Sequence, residues 1–495
     1  MLRRRRVKIV VTLGPASQTL ESIRSLFIAG ADVFRINMSY TTHEQLHVTV
    51  GHIRRVESEM KRSIGIIADL QGTKLRIGSL ETGVASIISD TIFILDNNPD
   101  PGNSSRVYLP HHEVILSVEP GHRLLLDDGK ITLHCIERHD DKLITIAKNS
   151  GAISNYKGVN LPDTPQLANV VTDKDNLDIQ AALSNYVDWI AISFIQKPSD
   201  LRQIHEITKG KVGIIAKIEK STALSELSGI IQEADAIMVA RGDLGVELQS
   251  ARVPGIQKRI VQACRKHGKP VIVATHMLES MVSSQTPTRA EVADISGAVF
   301  EGVDAIMLSA ESAVGKNPVK AVQVMNEIAE TTEKDQLYPE LIYTQQYSKN
   351  ETTVLYAVAR AAKQISDTLQ VAAIICCTSS SITCSQISRE RPMSFVVWVS
   401  PDSTNVSRHT LTWGVYPVQD ESNFLMIDRC SIDKWAWDIS RKVNCVIDGD
   451  KLVLITEGAP GACNLSNILY IVDARTDNVC LSQKQVVSDT TPSVL

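Results

Sequence analysis

The stretch VGIIAKIEKS, Val212 to Ser221, is an apolar run that ends in two opposite charges, Lys217 and Glu219. Apolar, β-branched residues without polar alternation are typical of a strand that is buried on both faces in a parallel sheet. Residues two apart on a strand face the same side, so the ammonium and the carboxylate should project together. The stretch therefore predicts a buried parallel strand with a charged site at its end.

Seven further runs of this kind occur, and helix-length amphipathic segments separate most of them. In chain order the eight runs are VKIVVTLG, DVFRIN, IGIIADL, VDWIAISF, VGIIAKIE, AIMVARGD, PVIVATH and AIMLSAE. Two of the separating segments carry helix-end signals, Gly268 after VPGIQKRIVQACRKH and the capping box TRAE from Thr288. Eight β/α units predict an α/β fold built on a TIM (β/α)8 barrel.

The connection between the third and fourth strands is much longer than the others. It contains short strand-like runs joined by Asp-Gly, Gly-Asn and Pro-Gly turns, which indicate an inserted β-barrel lid domain. After the barrel, a polar connector from Leu337 leads to further helices and strands that predict an open α/β regulatory domain. The expected divisions are 1–72 and 167–340 for the barrel, 73–166 for the lid, 346–480 for the C-terminal domain and 481–495 for a flexible tail.

Composition and charge are those of an ordinary globular protein. The chain has 495 residues, of which 43% are hydrophobic and 22% charged, and its formal net charge is −5. This balance predicts neither a nucleic-acid nor a membrane partner, and no apolar run has the length of a transmembrane helix. The nine cysteines lack C-x-x-C spacing, which favours reduced thiols and a cytoplasmic location. The run from Arg3 to Arg6 leads directly into a strand and is not expected to be a targeting segment.

Polar side chains stand at the carboxyl ends of the barrel strands, where the active sites of TIM barrels lie. In chain order they are Arg35, Asn37, Ser39, Asp69, Lys74, Arg76, Ser193, Lys217, Glu219, Arg241, Asp243, Thr275, Ser309 and Glu311. Stability alone would not place charges on so many neighbouring strand ends. The pattern therefore predicts one shared active site at the mouth of the barrel.

Two carboxylates from adjacent strands, Glu219 and Asp243, suit Mg²⁺ or Mn²⁺, because such ions take few protein ligands and complete their shell with water and substrate oxygens. Lys217, Arg35 and Arg76 supply positive charge. A divalent metal with converging cations is what phosphoryl transfer requires. The residues alone indicate a Mg²⁺-dependent enzyme that acts on a phosphorylated or polycarboxylate anion, and they leave open a phosphotransferase, an aldolase or a lyase.

At these residues the chain resembles the pyruvate kinase family. The matching segments, in family order, are KIVVTLGPAS, FRINMS, DLQGTKLRIG, KGVNLP, IIAKIE, IMVARGDLGVE, PVIVATHMLESM, PTRAEVADI and IMLSAESAVGKNPVKAV. The resemblance implies transfer of the phosphoryl group of phosphoenolpyruvate to ADP, which gives pyruvate and ATP in the last step of glycolysis. It also implies a cytoplasmic, allosteric enzyme that is usually a homotetramer.

The resemblance further implies a role for each matching residue. Lys217 and Arg35 would contact the transferring phosphoryl group, and Glu219 and Asp243 would hold the metal. The backbone at Gly242 would receive the substrate carboxylate. The remaining implied roles are a proton relay through Thr275 with Ser309 and Glu311 nearby, and nucleotide contacts at Asn37, Tyr40, Arg76 and Lys157.

The monovalent-cation site of the family has the matching residues Asn37, Ser39, Asp69 and Leu70 here, followed by Lys74. K⁺-dependent members read D-T-K-G-P-E where this chain reads DLQGTK, Asp69 to Lys74. The resemblance is thus to the K⁺-independent branch, with the Lys74 ammonium in place of the ion. K⁺ is therefore not expected to be required.

Two other departures bear on regulation and activity. Tyr40 stands where the family usually has His, which predicts altered nucleotide affinity. The segment TSSSIT, Thr378 to Thr383, replaces a sugar-bisphosphate loop of the type T-x-S-G-R-S and lacks its Gly and Arg. An unidentified anionic effector is retained as a hypothesis, and fructose 1,6-bisphosphate is disfavoured. The alternative enzyme is a Mg²⁺-dependent barrel aldolase or lyase that acts on a pyruvate enolate. These departures also prompt a hypothesis of another class, a catalytically silent regulatory homologue.

Overall fold

The structure is a computed structural model, and it describes residues 3–164, 170–343, 353–378, 381–401, 406–420, 431–447, 449–456 and 468–473. The chain begins with three strands and two helices, β1 (Lys8–Leu13), α1 (Leu20–Ala29), β2 (Val33–Asn37), α2 (His43–Met60) and β3 (Gly65–Asp69). Side-chain caps begin both helices: Thr19 accepts from Ser22 N, and Thr42 forms a capping box with Gln45. The polar N-caps thus mark where each strand-to-helix turn ends.

An all-β insertion with one short helix follows β3. Its elements are β4 (Val84–Ile87), β5 (Ile92–Asp96), β6 (Arg106–Tyr108), α3 (His112–Ser117), β7 (Arg123–Leu126), β8 (Ile131–Arg138), β9 (Lys142–Ala147), β10 (Gly151–Ser154) and β11 (Val159–Asn160). They form a mixed six-stranded sheet in the order β11-β7-β8-β9-β5-β6 and a two-stranded ladder β10-β4. Apolar residues such as Phe93, Leu95 and Leu133 give this lid a core of its own.

The chain then returns to the barrel and completes it. The elements are α4 (Asp173–Ser184), β12 (Trp189–Ile192), α5 (Pro198–Thr208), β13 (Gly213–Ile218), α6 (Leu227–Glu233), β14 (Ala236–Ala240), α7 (Arg241–Leu248), α8 (Val253–His267), β15 (Val271–Ala274), α9 (Arg289–Phe300), β16 (Ala305–Leu308), α10 (Ala310–Ala313), α11 (Pro318–Glu333) and α12 (Leu337–Tyr343). The closed barrel has the parallel strand order β1-β16-β15-β14-β13-β12-β3-β2. Thus β3 and β12, which flank the lid in sequence, are neighbours in the barrel.

The barrel strands are buried on both faces, which is why their sequences are apolar throughout. One face packs inside the barrel, where Val10, Ile67, Ile215 and Met238 belong to one cluster. The other face packs against the surrounding helices in a larger cluster. Side chains inside the barrel make it a packed core, so polar groups are placed at its ends.

The C-terminal region forms an α/β layer. Its elements are α13 (Val354–Leu369), β17 (Ala373–Cys377), α14 (Ser381–Arg389), β18 (Phe395–Ser400), β19 (Val415–Gln419), α15 (Ile432–Val443), β20 (Lys451–Thr456) and β21 (Ile468–Asp473). The sheet order is β19-β18-β17-β20-β21, and only the β20–β21 pair of this sheet is antiparallel.

The predicted fold class is confirmed, including all eight barrel strands and the Thr288 capping box that begins α9. The connector prediction at Leu337 is wrong for its first part, because the buried side chains Tyr338 and Ile342 hold residues Leu337–Tyr343 in α12. Within TSSSIT, α14 starts at Ser381 and residues 379–380 lie outside the described residues, as does the tail at 481–495. Across the described part of the chain, none of the helices has the length and apolar character needed to cross a bilayer.

The arginine run is a structural element of the barrel's amino-terminal end. Arg5 is completely buried, and its Nη1 lies 2.7 Å from Asp32 Oδ2. Arg62 contacts the other oxygen of the same carboxylate at 2.9 Å. Arg3 and Arg5 are thus structural residues, buried against the end of α1 and the turn that leads to β2.

Candidate active site

Polar side chains from the ends of three strands, β3, β12 and β13, meet around one ammonium group, that of Lys217 on β13. Its Nζ lies 2.9 Å from Glu219 Oε1 and 3.2 Å from Asp69 Oδ1. The same nitrogen donates to Ser193 Oγ at 2.7 Å, and Ser193 donates to the carbonyl oxygen of Leu70 at 2.9 Å. The three N–H groups of this ammonium therefore have three oxygen partners, which fixes its position.

Arg35 on β2 shares one of these partners. Its Nε lies 2.6 Å from Asp69 Oδ2, and its Nη1 donates to Thr12 Oγ1 at 3.0 Å. Asp69 thus bridges the two cations, one through each oxygen. Only about an eighth of the Arg35 and Lys217 side chains is exposed, so both charges act in a medium that screens them weakly.

Burial and these contacts together set the protonation states of Lys217, Asp69 and Glu219. Burial opposes the charged form of Lys217, but Asp69 and Glu219 outweigh it and raise its pKa, so the ammonium stays protonated. Burial likewise opposes the charged form of Asp69, yet Arg35 and Lys217 lower its pKa. Burial raises the pKa of Glu219 in spite of Lys217, and the charge of Asp243 adds to the rise. Asp69, which has both Arg35 and Lys217 as cationic partners, is thus compensated more fully than Glu219, which shares Lys217 with it.

The pair Glu219 and Asp243 has the chemistry of a divalent-metal site. Glu219 is 2% exposed and accepts from Phe194 N at 2.9 Å through Oε2. Asp243 is partly exposed, and Lys74 Nζ lies 3.8 Å from its Oδ1. The two negative charges oppose each other, and a cation between them would relieve that repulsion. The described residues hold no group of three or more His, Cys, Asp or Glu that could bind a metal. Oxygens of substrate and water would therefore complete the coordination shell of an ion held by Glu219 and Asp243, an arrangement that suits Mg²⁺.

Asp243 belongs to a helix and not to a strand end as predicted. The strand β14 stops at Ala240, and α7 begins at Arg241, so Gly242 and Asp243 form its first turn. The amide N–H groups of a first helical turn have no partner within the helix, and they favour negative charge nearby. The sequence suggested a strand end because AIMVARGD continues the apolar run without a visible break.

Thr275 lies opposite this turn in an unusual backbone conformation. Its φ is 71° and that of His276 is 55°, although a β-branched residue rarely adopts positive φ. Thr275 Oγ1 accepts from Gly242 N at 2.8 Å, and its carbonyl oxygen accepts from Arg241 Nη2 at 2.6 Å. Strain of this kind is retained where the surrounding structure holds a functional group in place.

Ser309 and Glu311 follow β16. Glu311 is completely buried in α10, and its oxygens accept from Ser309 N at 2.6 Å and from Leu278 N at 2.9 Å. The carboxylate is therefore a brace for the backbone of two loops. The buried Ser309 Oγ has no hydrogen-bond partner among the residues that the structure describes, which leaves it available to a bound group.

The predicted nucleotide residues lie at the lid and beside β2. Arg76 and Gly158 form a bridge that brings Arg76 next to Lys157, and Lys157 Nζ lies 2.9 Å from Asp127 Oδ1. Asn37 Oδ1 accepts from Ser39 N at 3.1 Å. Tyr40 is 82% exposed, so its ring is open to a ligand.

Two of the residues matched to the monovalent-cation site have partners within the protein. Asp69 pairs with Arg35 and Lys217, and the carbonyl oxygen of Leu70 accepts from Ser193 Oγ. Lys74 lies beside Asp243, and both line a cavity of about 880 Å³ together with Gly242, Thr275 and His276. The ammonium thus lies at the edge of the candidate metal site. Sequence reasoning gave no role to Phe194, yet its positive φ of 61° and its N–H to Glu219 place it in the same site.

Comparisons with known proteins agree on one family. The family model "Pyruvate kinase, barrel domain" matches residues 4–322, and "Pyruvate kinase, alpha/beta domain" matches residues 356–472. The chain is similar to a pyruvate kinase of Methylorubrum extorquens, with 44% identity over 95% of this chain and 98% of that protein. A pyruvate kinase of Agrobacterium vitis is 43% identical over the same shares. A crystal structure of a pyruvate kinase from Cryptosporidium parvum matches with a TM-score of 0.88 and 29% identity, covering 95% of this chain and 97% of that one.

Proposed function

The chain belongs to the pyruvate kinase family of glycolytic phosphotransferases, and from this premise we propose that it transfers the phosphoryl group of phosphoenolpyruvate to ADP. The observation that supports this most is the Lys217 ammonium, which Asp69, Glu219 and Ser193 hold at the mouth of the barrel. A fixed, protonated cation is suited to the oxygens of a phosphoryl group in transfer.

In the proposed reaction the bond between phosphorus and the enol oxygen breaks, and a β-phosphate oxygen of ADP forms the new bond. Lys217 and Arg35 neutralise charge on the transferring group from one side. Glu219 and Asp243 would hold Mg²⁺ or Mn²⁺, which supplies positive charge to the carboxylate and enolate oxygens of the substrate. The backbone around Gly242, together with Thr275, would receive the substrate carboxylate.

The enolate that remains needs a proton on carbon to become pyruvate. The Thr275 hydroxyl and the unpartnered Ser309 hydroxyl are the groups for this relay, and Glu311 positions the Ser309 backbone. Arg76, Lys157, Asn37 and Tyr40 would contact the nucleotide. Ser309 can donate in the relay because none of the described residues accepts its proton in this structure.

Several finer assignments belong to the same proposal. The domain divisions are those expected from the sequence, and Lys74 supplies the charge that K⁺ supplies in other members. The enzyme is a cytoplasmic homotetramer, and an anion of unidentified nature regulates it through the C-terminal domain. The family resemblance supports these assignments.

An assay coupled to lactate dehydrogenase tests the reaction. With phosphoenolpyruvate, ADP and Mg²⁺ we expect ADP-dependent loss of NADH, and Lys217→Met should abolish it because the phosphoryl group loses its fixed cation. Lys8→Met is the matched control, since Lys8 is a buried lysine near the opposite end of the barrel whose Nζ donates to Val415 O at 2.6 Å. The absence of ADP-dependent pyruvate would overturn the proposed function and leave the lyase and silent-homologue hypotheses.

A further inference from the structure

A second ion pair lies next to the two candidate metal carboxylates along the chain. Lys220 Nζ is 2.9 Å from Glu247 Oε1, and the two side chains are 7% and 1% exposed. Lys220 follows Glu219 in the chain, and Glu247 lies one helical turn beyond Asp243 on α7. The pair therefore joins the segment that carries one carboxylate to the helix that carries the other.

The two carboxylates need such a connection because the sheet does not hold them. The ladder between β13 and β14 ends with the pair Ile218 and Val239. Glu219 and Asp243 both lie beyond it, and their like charges push them apart when no cation is bound. A contact between their two segments would oppose this repulsion and help to fix their separation.

Stability gives a weak reason for the pair. The desolvation of two buried charges offsets most of their attraction, so a buried ion pair contributes little compared with apolar residues of similar size. One oxygen of Glu247, Oε2, is buried without a hydrogen-bond partner in the described part of the chain, which adds to the cost. A costly contact at this place is better explained by the geometry that it imposes.

The lid meets the same pair. Asn160 of β11 is buried, and its Nδ2 lies 3.5 Å from Glu247 Oε1. Asn160, Lys220 and Asp243 line one small cavity of about 10 Å³. The ion pair is thus at the junction of the candidate metal site and the returning strand of the lid.

We propose that Lys220 and Glu247 are positioning residues, whose ion pair holds Glu219 and Asp243 at the spacing that a divalent cation needs. The inference rests on the proposed function, because it takes those two carboxylates as the metal ligands. It predicts that the pair acts on metal affinity before any substrate binds.

Binding of Mn²⁺ to the full chain without substrates, followed by electron paramagnetic resonance of the free ion, tests the proposal. Loss of a contact behind a metal ligand commonly weakens metal affinity by about 10- to 100-fold, and we expect a loss near the lower end for Lys220→Met and for Glu247→Gln. At saturating Mn²⁺ the kcat of both variants should recover most of the wild-type value. Lys8→Met, the matched buried lysine, should leave Mn²⁺ affinity unchanged.

The double variant Lys220→Met/Glu247→Met separates positioning from stability. It leaves no buried charge unpaired, so its unfolding free energy should recover relative to the single variants, while its Mn²⁺ affinity should stay low. If Lys220→Met does not fold, the nearly isosteric Glu247→Gln decides.

Three results would overturn the proposal. Unchanged Mn²⁺ affinity in the folded single variants, with a loss in Glu219→Gln, would reject the positioning role and keep the metal site. Unchanged affinity in Glu219→Gln as well would reject the metal assignment itself. An equal loss in Lys8→Met would show that any buried lysine has the same effect.

Discussion

Removal of one hydroxyl, in Ser193→Ala, should slow catalysis without weakening substrate binding. Ser193 is 2% exposed, and its Oγ both accepts from Lys217 Nζ at 2.7 Å and donates to Leu70 O at 2.9 Å. The substitution leaves one N–H group of the ammonium without its partner, so the ammonium can move closer to its two remaining partners, Glu219 and Asp69. The cation would then be misplaced for the transferring phosphoryl group.

The size of the effect follows from the kind of contact. A hydrogen bond to a charged group contributes about 1.5–3 kcal/mol, and each 1.4 kcal/mol is a factor of about ten in rate. If the whole contribution is expressed in the transition state, kcat falls by about 10- to 100-fold. The KM for phosphoenolpyruvate should change far less, because the Gly242 and Thr275 contacts are untouched.

Steady-state kinetics in the coupled assay measure both constants, and circular dichroism checks the fold. Ser388→Ala is a matched control, because Ser388 Oγ also accepts from a cation, Arg391 at 3.3 Å, and donates to a carbonyl, that of Trp413 at 2.6 Å. Ser388 is equally buried but lies in α14, in the C-terminal region. An unchanged kcat in folded Ser193→Ala, or an equal fall in Ser388→Ala, would refute the reasoning.

Two further predictions concern cations and pH. In a buffer free of Na⁺ and K⁺ the wild type should be active, because the Lys74 ammonium supplies the positive charge of the monovalent cation. Lys74→Glu should make activity depend on added KCl. A wild type that is inactive until KCl is added would contradict this. Burial, aided by Arg408, lowers the pKa of His409 to about 4, so its imidazole is neutral when folded. The unfolded chain takes up this proton as the pH is lowered from about 6.5 to about 4, whereas the folded chain does not. The free energy of unfolding therefore decreases as the pH is lowered, and the contribution of this residue at pH 4 is a loss of about 3 kcal/mol. Urea unfolding at pH 7 and pH 4.5 should show a smaller difference for His409→Gln than for the wild type, and equal differences would exclude His409 as the cause.

The barrel could be predicted because its signals are local. Each buried strand is an unbroken apolar run, and the rule that barrel sites lie at strand ends pointed to Lys217, Glu219 and Thr275. The same local signals misplaced Asp243, since an apolar run does not show where a strand passes directly into a helix. The bounds of short elements next to an active site are set by tertiary contacts, such as the bond from Gly242 to Thr275.

Residues whose partners are distant in sequence could not be predicted. Arg5 pairs with Asp32, and Lys220 pairs with Glu247, but nothing in either segment identifies the partner. Glu311 was predicted as a polar residue at a strand end, yet it lies in α10 and its oxygens accept from the backbone N–H groups of Leu278 and Ser309. Only the folded chain shows whether such a carboxylate faces a ligand or braces a loop.

The pairing of β3 with β12 has a consequence for how the protein folds. In the β3–β12 ladder Asp69 pairs with Ala191, so the chain between them, residues 70–190, forms a loop that closes when the two strands pair. Closing a long flexible loop is entropically unfavourable, and a lid that has already folded on its own core brings the two ends together. The lid would then bring β3 and β12 together, and the contact between Asp69 and Lys217 could form only after β13 had joined them. A nascent chain would therefore acquire its lid before the ammonium cluster around Lys217.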